Sequence, residues 1–179
     1  MRRQPFPRPK GWVNTMQPIA LQLRPVGPQD EKRIWEWVND PAMLRFAFQT
    51  HDPVPWENHR KWFAGTLAGQ KRTQYVAETA DGTPAGQIRF EPNEGEPVVS
   101  VYLAAAFRGK GLAPGVILAG TERFCAEKWV AAVTAWIKPE NEASRRSFLA
   151  AGYGEAELLE FAGQPAWRLV WRAGKSINN

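Results

Sequence analysis

The run Arg-Gly-Lys-Gly-Leu-Ala at residues 108–113 constrains the fold of this chain more than any other segment. It follows an alternating apolar segment over residues 98–103. It opens a stretch over residues 112–128 in which apolar side chains recur at helical spacing. The pattern predicts a strand that leads through a glycine-rich turn into a helix. The free N–H groups and positive dipole end of such a helix favour a bound anion, and glycines let the backbone approach it closely.

We interpret the anion as a pyrophosphate, because Arg108 and Lys110 add two cationic side chains to the turn. Two mononucleotide-binding patterns do not fit. The sequence contains no G-x-x-x-x-G-K-[ST] motif, and after Gly109 and Gly111 the third glycine of G-x-G-x-x-G is replaced by Pro114. The turn is therefore predicted to bind pyrophosphate in another way.

The bulk composition predicts one globular domain. The chain has 179 residues, of which 44% are hydrophobic and 23% charged, and this is enough to bury a sizeable core. We predict a single domain over residues 18–179. It follows an extension over residues 1–17 whose arginines and prolines favour disorder.

The net charge and the cysteine content indicate which binding partners and which cellular compartment to expect. The net charge is +5, but no basic stripe with interleaved aromatic residues is present, so nucleic acid is not an expected partner. No apolar run of about 18 residues occurs, so no membrane partner is expected. Cys125 is the single cysteine and cannot form an intrachain disulfide, which favours a reducing, cytoplasmic location.

Hydrophobic periodicity and turn residues divide the rest of the chain into strands and helices. The elements follow the order β-α-α-β-β-β-α-β-α-β-β, an α/β chain with a mixed sheet. The predicted helices cover residues 30–39, 55–67, 112–128 and 141–151, and the predicted strands cover residues 19–26, 74–79, 85–90, 97–103, 130–137, 157–161 and 166–171.

Two motifs and this order of elements resemble the GNAT N-acetyltransferase superfamily. The spacing Arg-x-x-Gly-x-Ala over residues 108–113 is similar to the superfamily's acetyl-CoA signature. The segment Asn-Glu-Ala-Ser over residues 141–144, followed by Phe148 and by Gly152 and Tyr153, is similar to the pattern after its fifth strand. The resemblance covers roughly residues 21–171 and implies the GNAT fold, a mixed sheet flanked by helices.

The resemblance also implies a co-substrate, acetyl-CoA. No metal is expected, because the two histidines, His51 and His59, lie eight residues apart with no Cys, Asp or Glu spacing that suggests a metal site. The resemblance places the pantetheine arm between two diverging strands and the pyrophosphate at the glycine turn. The implied cofactor-binding residues are Val101, Leu103, Arg108, Gly109, Lys110, Gly111, Leu112, Ala113, Asn141 and Ser144. Judged from its sequence neighbours alone, Asn141 is equally suited to be the N-cap of a helix. Ser144 is equally well explained as a solvent-exposed serine of that helix.

Acetyl transfer to an amine requires a group that accepts a proton from nitrogen and a group that donates one to the leaving sulfur. We expect Glu91 to accept the proton, with Glu94 and Glu96 as alternatives in the same turn. Many superfamily members have a tyrosine as donor where this chain has Phe148. The candidates to replace that tyrosine are Tyr102, Ser147 and Tyr153, or solvent.

Three segments resemble one branch of the superfamily, the PseH-type enzymes that acetylate nucleotide-linked amino-deoxysugars in pseudaminic-acid biosynthesis. The segments begin at Trp35, Arg45 and His59, and Val38 stands where the branch has an arginine. The implied substrate-binding residues are Arg45, Phe46, His59 and Trp62. The aromatic residues also suit the apolar faces of two amphipathic helices.

Three functions remain open on the sequence. One is N-acetylation of a nucleotide-linked amino sugar. Another is N-acetylation of a ribosomal-protein N-terminus or of a small amine such as an aminoglycoside. The third is a non-catalytic module that binds acetyl-CoA. The expected partner is a small-molecule acceptor amine, and a homodimer is compatible with the sequence.

Overall fold

The fold is given by a computed structural model that describes residues 20–49, 51–69 and 72–174. The predicted basic extension over residues 1–17 lies outside the described residues and stays a prediction. Within the described residues, no helix combines the length and the apolar character needed to cross a membrane.

The described residues form seven strands and five α-helices in the predicted order, with one helix added. The elements are β1 (Leu21–Pro25), α1 (Glu31–Val38), α2 (Pro41–Leu44), α3 (Trp56–Leu67), β2 (Thr73–Thr79), β3 (Pro84–Glu91), β4 (Val98–Leu103), α4 (Ala113–Lys128), β5 (Ala132–Ile137), α5 (Glu142–Ala150), β6 (Gly154–Phe161) and β7 (Gln164–Arg172). Short 3₁₀ turns precede α1 and follow β4.

The added helix, α2, was not predicted because it is only four residues long. It begins at Pro41, whose fixed φ suits the first helical position, and Asp40 caps it. The Asp40 Oδ1 atom accepts a hydrogen bond from the Ala42 N–H at 2.8 Å. This short turn redirects the chain toward the loop before α3.

The strands form one sheet in the order β1-β2-β3-β4-β5-β7-β6, and the predicted mixed sheet is confirmed. Neighbouring strands are antiparallel except β4 and β5, which are parallel. These two strands share only one register pair, Val98 with Thr134. Beyond that pair β4 and β5 diverge, and a gap opens in the middle of the sheet.

Side chains alternate between the two faces of the sheet along each strand, so both faces carry apolar side chains. Helices cover both faces. On one face Ile88 and Phe90 of β3 pack against Ile117 and Phe124 of α4, and the rings of Phe90 and Phe124 stack with centroids 4.2 Å apart. On the other face α1 and α3 pack on the sheet. Their core consists of Ile34, Trp37, Phe63, Val76 and Tyr102.

The loop between α2 and α3 is held down at two points. The Asn39 side chain brackets the Val54 backbone: its Oδ1 accepts from the Val54 N–H at 2.6 Å, and its Nδ2 donates to the Val54 carbonyl at 3.1 Å. The Gln164 amide donates to the Phe48 carbonyl at 3.0 Å. These bonds hold the loop over the end of the sheet where the gap opens.

Gly120 of α4 gives a test of how closely this helix packs on the sheet. A Cβ placed there would lie 2.7 Å from the Ile88 side chain, whereas a Cβ at Gly115 of the same helix would meet nothing within 4 Å. We expect Gly120→Ala to lower the free energy of unfolding by about 1–3 kcal/mol, the usual result of overpacking. Gly115→Ala should instead raise it by about 0.5–1 kcal/mol. Urea denaturation checks both, and equal effects of the two changes would contradict the packing described here.

Candidate active site

A cavity of about 670 Å³ lies where the loop after α2 and helix α3 meet the gap between β4 and β5. Side chains from both faces of the sheet reach it, since the sheet is open at this point. Predicted site residues from distant parts of the chain line it together: Phe46, His59, Trp62, Glu91, Val101, Asn141 and Ser144. The structure thus brings the predicted acceptor residues and part of the predicted cofactor residues to one place.

Glu91 lies at the end of β3 and is held by two arginines. Its Oε1 is 3.1 Å from Arg72 Nε, and its Oε2 is 3.1 Å from Arg89 Nη2. Both guanidinium groups also lie over the Trp62 ring, at 4.7 and 5.3 Å from its centroid. The two arginines therefore fix the carboxylate at the cavity wall. Its role as proton acceptor stays a prediction.

The alternatives to Glu91 do not line the cavity. Glu94 is exposed. Glu96 accepts hydrogen bonds from Thr134, Arg168 and Arg172 at 2.6–3.1 Å. The Thr134 hydroxyl and the two arginines hold the pKa of Glu96 below its usual value, although burial opposes them. Glu96 therefore joins the start of β4 to β5 and β7.

His59 is buried, with 2% of its surface exposed. Its Nε2 atom donates to the Glu31 carbonyl at 2.8 Å, and its ring stacks on Trp56 and Phe63. Burial lowers the pKa of His59, and the bond to the Glu31 carbonyl only partly opposes this, so the ring is neutral at neutral pH. His59 supports the cavity wall beside Trp62, and its contact with substrate stays a prediction.

The other predicted acceptor residues lie along the loop after α2. Phe46 lines the cavity, whereas Arg45 is exposed beside it, with its guanidinium 5.1 Å from the Phe46 ring centroid. Farther along the loop, Phe48 packs edge-on against Phe161 at 5.1 Å, and Phe161 stacks on Trp136 at 4.6 Å. All three aromatic residues of this cluster line the cavity.

Asn141 and Ser144 form the end of the cavity below the gap. The Asn141 Oδ1 atom accepts from the Ser144 N–H at 3.2 Å, so Asn141 is the N-cap of α5. Both residues line the cavity as well, and the two interpretations of Asn141 are compatible. Phe148, one turn further along α5, presents an apolar wall there.

The proposed proton donors lie elsewhere. The Tyr102 hydroxyl donates to Asp40 Oδ2 at 2.7 Å, and burial together with that bond raises the Tyr102 pKa. Ser147 donates to the Ala143 carbonyl at 2.9 Å. Tyr153 is buried against Thr121, at 2.7 Å between the hydroxyls. The structure does not bring any of the three into the cavity, so their catalytic role stays a prediction without support from the geometry.

The glycine turn takes the expected form. Gly109 and Gly111 have φ values of 70° and 71°, the left-handed region that favours glycine. A Cβ at either position would meet nothing within 4 Å, so the turn faces open space. Leu112 provides no side-chain cap for α4, whose first N–H groups have no intrahelical partner. These features suit a bound anion.

Arg108 has partners within the protein, and its expected contact with acetyl-CoA stays a prediction. The Arg108 Nη2 lies 2.6 Å from Asp40 Oδ2, and Nε donates to the Leu103 carbonyl at 2.7 Å. The backbone N–H of Arg108 donates to the Ala105 carbonyl at 3.3 Å. The guanidinium therefore connects the end of β4 to the cap of α2. Lys110 is exposed, with its ammonium 5.7 Å from the Phe107 ring centroid. It stays the cationic side chain of the turn.

A family model described as an acetyltransferase (GNAT) domain matches residues 20–153, which is more than half of the chain. The chain belongs to the GNAT acetyltransferase family. It is an acetyl-CoA-dependent N-acetyltransferase, and acetyl-CoA is its co-substrate. In the described part of the chain no three His, Cys, Asp or Glu residues are grouped as metal ligands.

Two curated relatives are similar to this GNAT chain in sequence. YwnH of Bacillus subtilis, whose name provisionally assigns it as a phosphinothricin acetyltransferase, is 28% identical over 145 residues, 78% of this chain and 87% of that protein. The L-2,4-diaminobutyric acid acetyltransferase of Streptomyces avermitilis is 39% identical over 90 residues, 48% of this chain and 46% of that protein.

Solved structures share the GNAT fold at lower identity. Spermidine N-acetyltransferase from Vibrio cholerae, solved with CoA and spermine, has a TM-score of 0.77 at 18% identity, over 88% of this chain and 98% of that one. Aminoglycoside acetyltransferase AAC(6')-Ib, solved with coenzyme A and kanamycin, has a TM-score of 0.72 at 19% identity, over 86% of this chain and 95% of that one. These similarities concern the fold.

The residues present in this GNAT domain fit acetyl-CoA. The open glycine turn and the uncapped start of α4 suit its phosphates. The gap beside Val101 and the polar groups of Asn141 and Ser144 suit its pantetheine amides. Each of these groups belongs to the set expected from the sequence.

Asp40 provides a test of the connection between β4 and α2. Burial acts to raise the pKa of Asp40, but hydrogen bonds from Tyr102 and Arg108 outweigh it and the pKa is lowered. The ionised carboxylate therefore stabilises the fold at neutral pH, and this contribution is lost as the pH falls below about 4. We expect Asp40→Asn to reduce the free energy of unfolding at pH 7 by about 1 kcal/mol, allowing for screening of the half-exposed Arg108.

The measurement is urea unfolding of both proteins between pH 3 and pH 7, with Asp52→Asn, at an exposed position of the loop before α3, as the matched control. The difference between wild type and Asp40→Asn should shrink at the acid end. A difference that stays constant with pH would contradict the ionic role of Asp40.

Proposed function

We propose that this enzyme acetylates the primary amine of a nucleotide-linked amino-deoxysugar by direct attack of the amine on acetyl-CoA. The observation that carries the proposal is the shape of the cavity. It runs from the aromatic side chains Phe46 and Trp62 to the gap between β4 and β5. Aromatic planes suit the apolar face of a deoxysugar or a base, and the gap is where the thioester is expected.

The chemistry requires two proton movements. Attack of nitrogen on the acetyl carbon forms the amide bond and breaks the carbon–sulfur bond, so one proton leaves nitrogen and one reaches sulfur. Glu91 is the carboxylate on the cavity wall that is proposed to take the first proton, directly or through water. Phe148 has no hydroxyl for the second, and solvent is proposed to supply it.

A second acceptor class is supported by the sequence relatives. Phosphinothricin and 2,4-diaminobutyric acid, named for those two proteins, are amino acids rather than sugars. An amino-acid-type amine therefore stands as the alternative acceptor. Assembly as a homodimer also stays a proposal, supported by the half-exposed Leu158 and Leu159 on β6, the strand at the edge of the sheet.

The function is tested by release of free CoA from acetyl-CoA in the presence of single acceptors. The panel contains nucleotide-linked amino sugars, amino acids with a side-chain amine, N-terminal peptides, aminoglycosides and polyamines. We expect release with a nucleotide-linked amino sugar. Release only with amino acids would favour the second acceptor class. Binding of acetyl-CoA with no release on any acceptor would count against the proposed transfer reaction.

Glu91→Gln tests the proton acceptor. We expect kcat to fall by about 10²-fold, within the range for loss of a general base. The rise of rate with pH should shift toward the pKa of the amine, because solvent must then remove the proton. Glu57→Gln, at an exposed position of α3, is the matched control. A uniform loss of rate with an unchanged pH profile would show that Glu91 only positions the arginines.

Asn141 can be tested for its two roles separately. Asp is as good an N-cap as Asn but has no amide N–H to donate, so Asn141→Asp should retain stability. We expect Asn141→Asp to weaken acetyl-CoA binding about 5- to 10-fold, the effect of one lost hydrogen bond. Asn141→Ala should lose both binding and stability. Unchanged acetyl-CoA affinity in both variants by calorimetry would leave Asn141 as a cap alone.

A further inference from the structure

We propose that Arg89 and Arg72 form a binding site for an anionic group, a carboxylate or a phosphate, on the acceptor that carries the amine. The inference rests on the proposed acetyl transfer and goes beyond it by naming a charge requirement and the residues that impose it. Neither arginine belongs to the residues expected from the sequence. Both line the cavity beside Trp62.

The register of the sheet brings these residues to the acceptor side. Arg89 of β3 lies opposite Ser100 of β4, and Glu91 lies opposite Val98. Opposed residues of antiparallel strands point to the same face, so Arg89 and Ser100 share the face that α3 covers. The β4 strand borders the gap, and Arg89 therefore lies one strand away from the expected site of transfer.

The charges on the cavity wall do not balance. Arg72 and Arg89 are opposed there by one carboxylate, that of Glu91, and His59 is neutral. An excess positive charge remains in a partly desolvated pocket, where it is costly unless an anion joins it. Burial also lowers the pKa of Arg89, and the nearby Arg72 charge adds to this, while Glu91 opposes both.

Arg89 has an unused donor. Its Nε atom is buried and has no hydrogen-bond partner among the described residues, while its Nη2 meets Glu91 at 3.1 Å. Buried donors are normally satisfied, and a guanidinium can bind an oxyanion through two parallel N–H groups. An acceptor carboxylate or phosphate would satisfy the donor and neutralise the excess charge together.

Arg24, an arginine that joins β1 to the turn before α1 and to β2, is paired differently. Arg24 makes two bonds to Asp30, at 2.7 and 2.8 Å, and a third to Glu78 at 2.7 Å. In contrast, Arg72 and Arg89 share one carboxylate and lie on the face of Trp62, which fixes their planes at the cavity wall. Such a fixed pair of cations is suited to recognise an anion and to repel polycationic acceptors.

The test compares kcat/KM for matched acceptors that differ only in the anionic group. One pair is 2,4-diaminobutyrate and its carboxamide. The other is a nucleotide-linked amino sugar and the same amino sugar without phosphate. The proteins are wild type, Arg89→Gln, Arg89→Lys, Arg72→Gln and the control Arg33→Gln, at an exposed position of α1. Thermal unfolding and acetyl-CoA affinity are measured for each.

We expect wild type and Arg33→Gln to prefer an anionic acceptor over its neutral counterpart by about 10- to 100-fold, the effect of charge-assisted hydrogen bonds. Arg89→Gln should lose most of that preference while its acetyl-CoA affinity stays unchanged. Arg89→Lys should restore part of it. The pair that shows the preference identifies the anion as carboxylate or phosphate. If Arg89→Gln does not fold, Arg72→Gln gives the same comparison, with a smaller loss.

Two outcomes overturn the inference while leaving the proposed function intact. One is a kcat/KM that is no higher for the anionic member than for the neutral member in either acceptor pair, or a kcat/KM that is highest for polyamines. The other is a preference that survives in Arg89→Gln and Arg72→Gln. The absence of turnover with every amine, despite acetyl-CoA binding, would instead overturn the proposed function.

Discussion

The single register pair between β4 and β5 is the contact on which the arrangement of the site depends. Val98 faces Thr134, and the Thr134 N–H donates to the Pro97 carbonyl at 2.9 Å. Glu96 strengthens this end by accepting from the Thr134 hydroxyl and from two arginines of β7. Because the strands are joined here and diverge beyond, side chains from both faces of the sheet reach a common cavity.

A second group of contacts connects the two halves of that cavity. Asp40 caps α2, and its other oxygen accepts from Tyr102 of β4 and from Arg108 of the glycine turn. The loop that carries Phe46 is thereby joined to the strand and turn expected to hold acetyl-CoA. Arg108 connects the two parts, and its contact with pyrophosphate stays a prediction. Asp40 also gives Tyr102 a partner other than the leaving sulfur.

The arginines on the cavity wall are the basis of the proposed preference for an anionic acceptor. The solved neighbours were crystallised with spermine or kanamycin, both of which carry several amines. In this chain the wall beside Trp62 carries two guanidinium groups and one carboxylate. We therefore propose that side chains on β3 and before β2 decide the acceptor preference, while the fold and the co-substrate are those of the family.

The sequence by itself determined the order of elements, the glycine turn and the Asn141 cap, since each depends on local periodicity or on backbone conformations that particular residues favour. It did not determine which polar residues face the cavity. Alternation along β3 places Gln87, Arg89 and Glu91 on one face, but only the register with β4 and the packing of α3 decide which face that is. The role of Asp40 was not predicted, because its bonds to Tyr102 and Arg108 span more than 60 residues and exist only in the folded chain. The tertiary structure decided the charge of the cavity wall, because that charge is set by which side chains meet in space and by how much water they exclude.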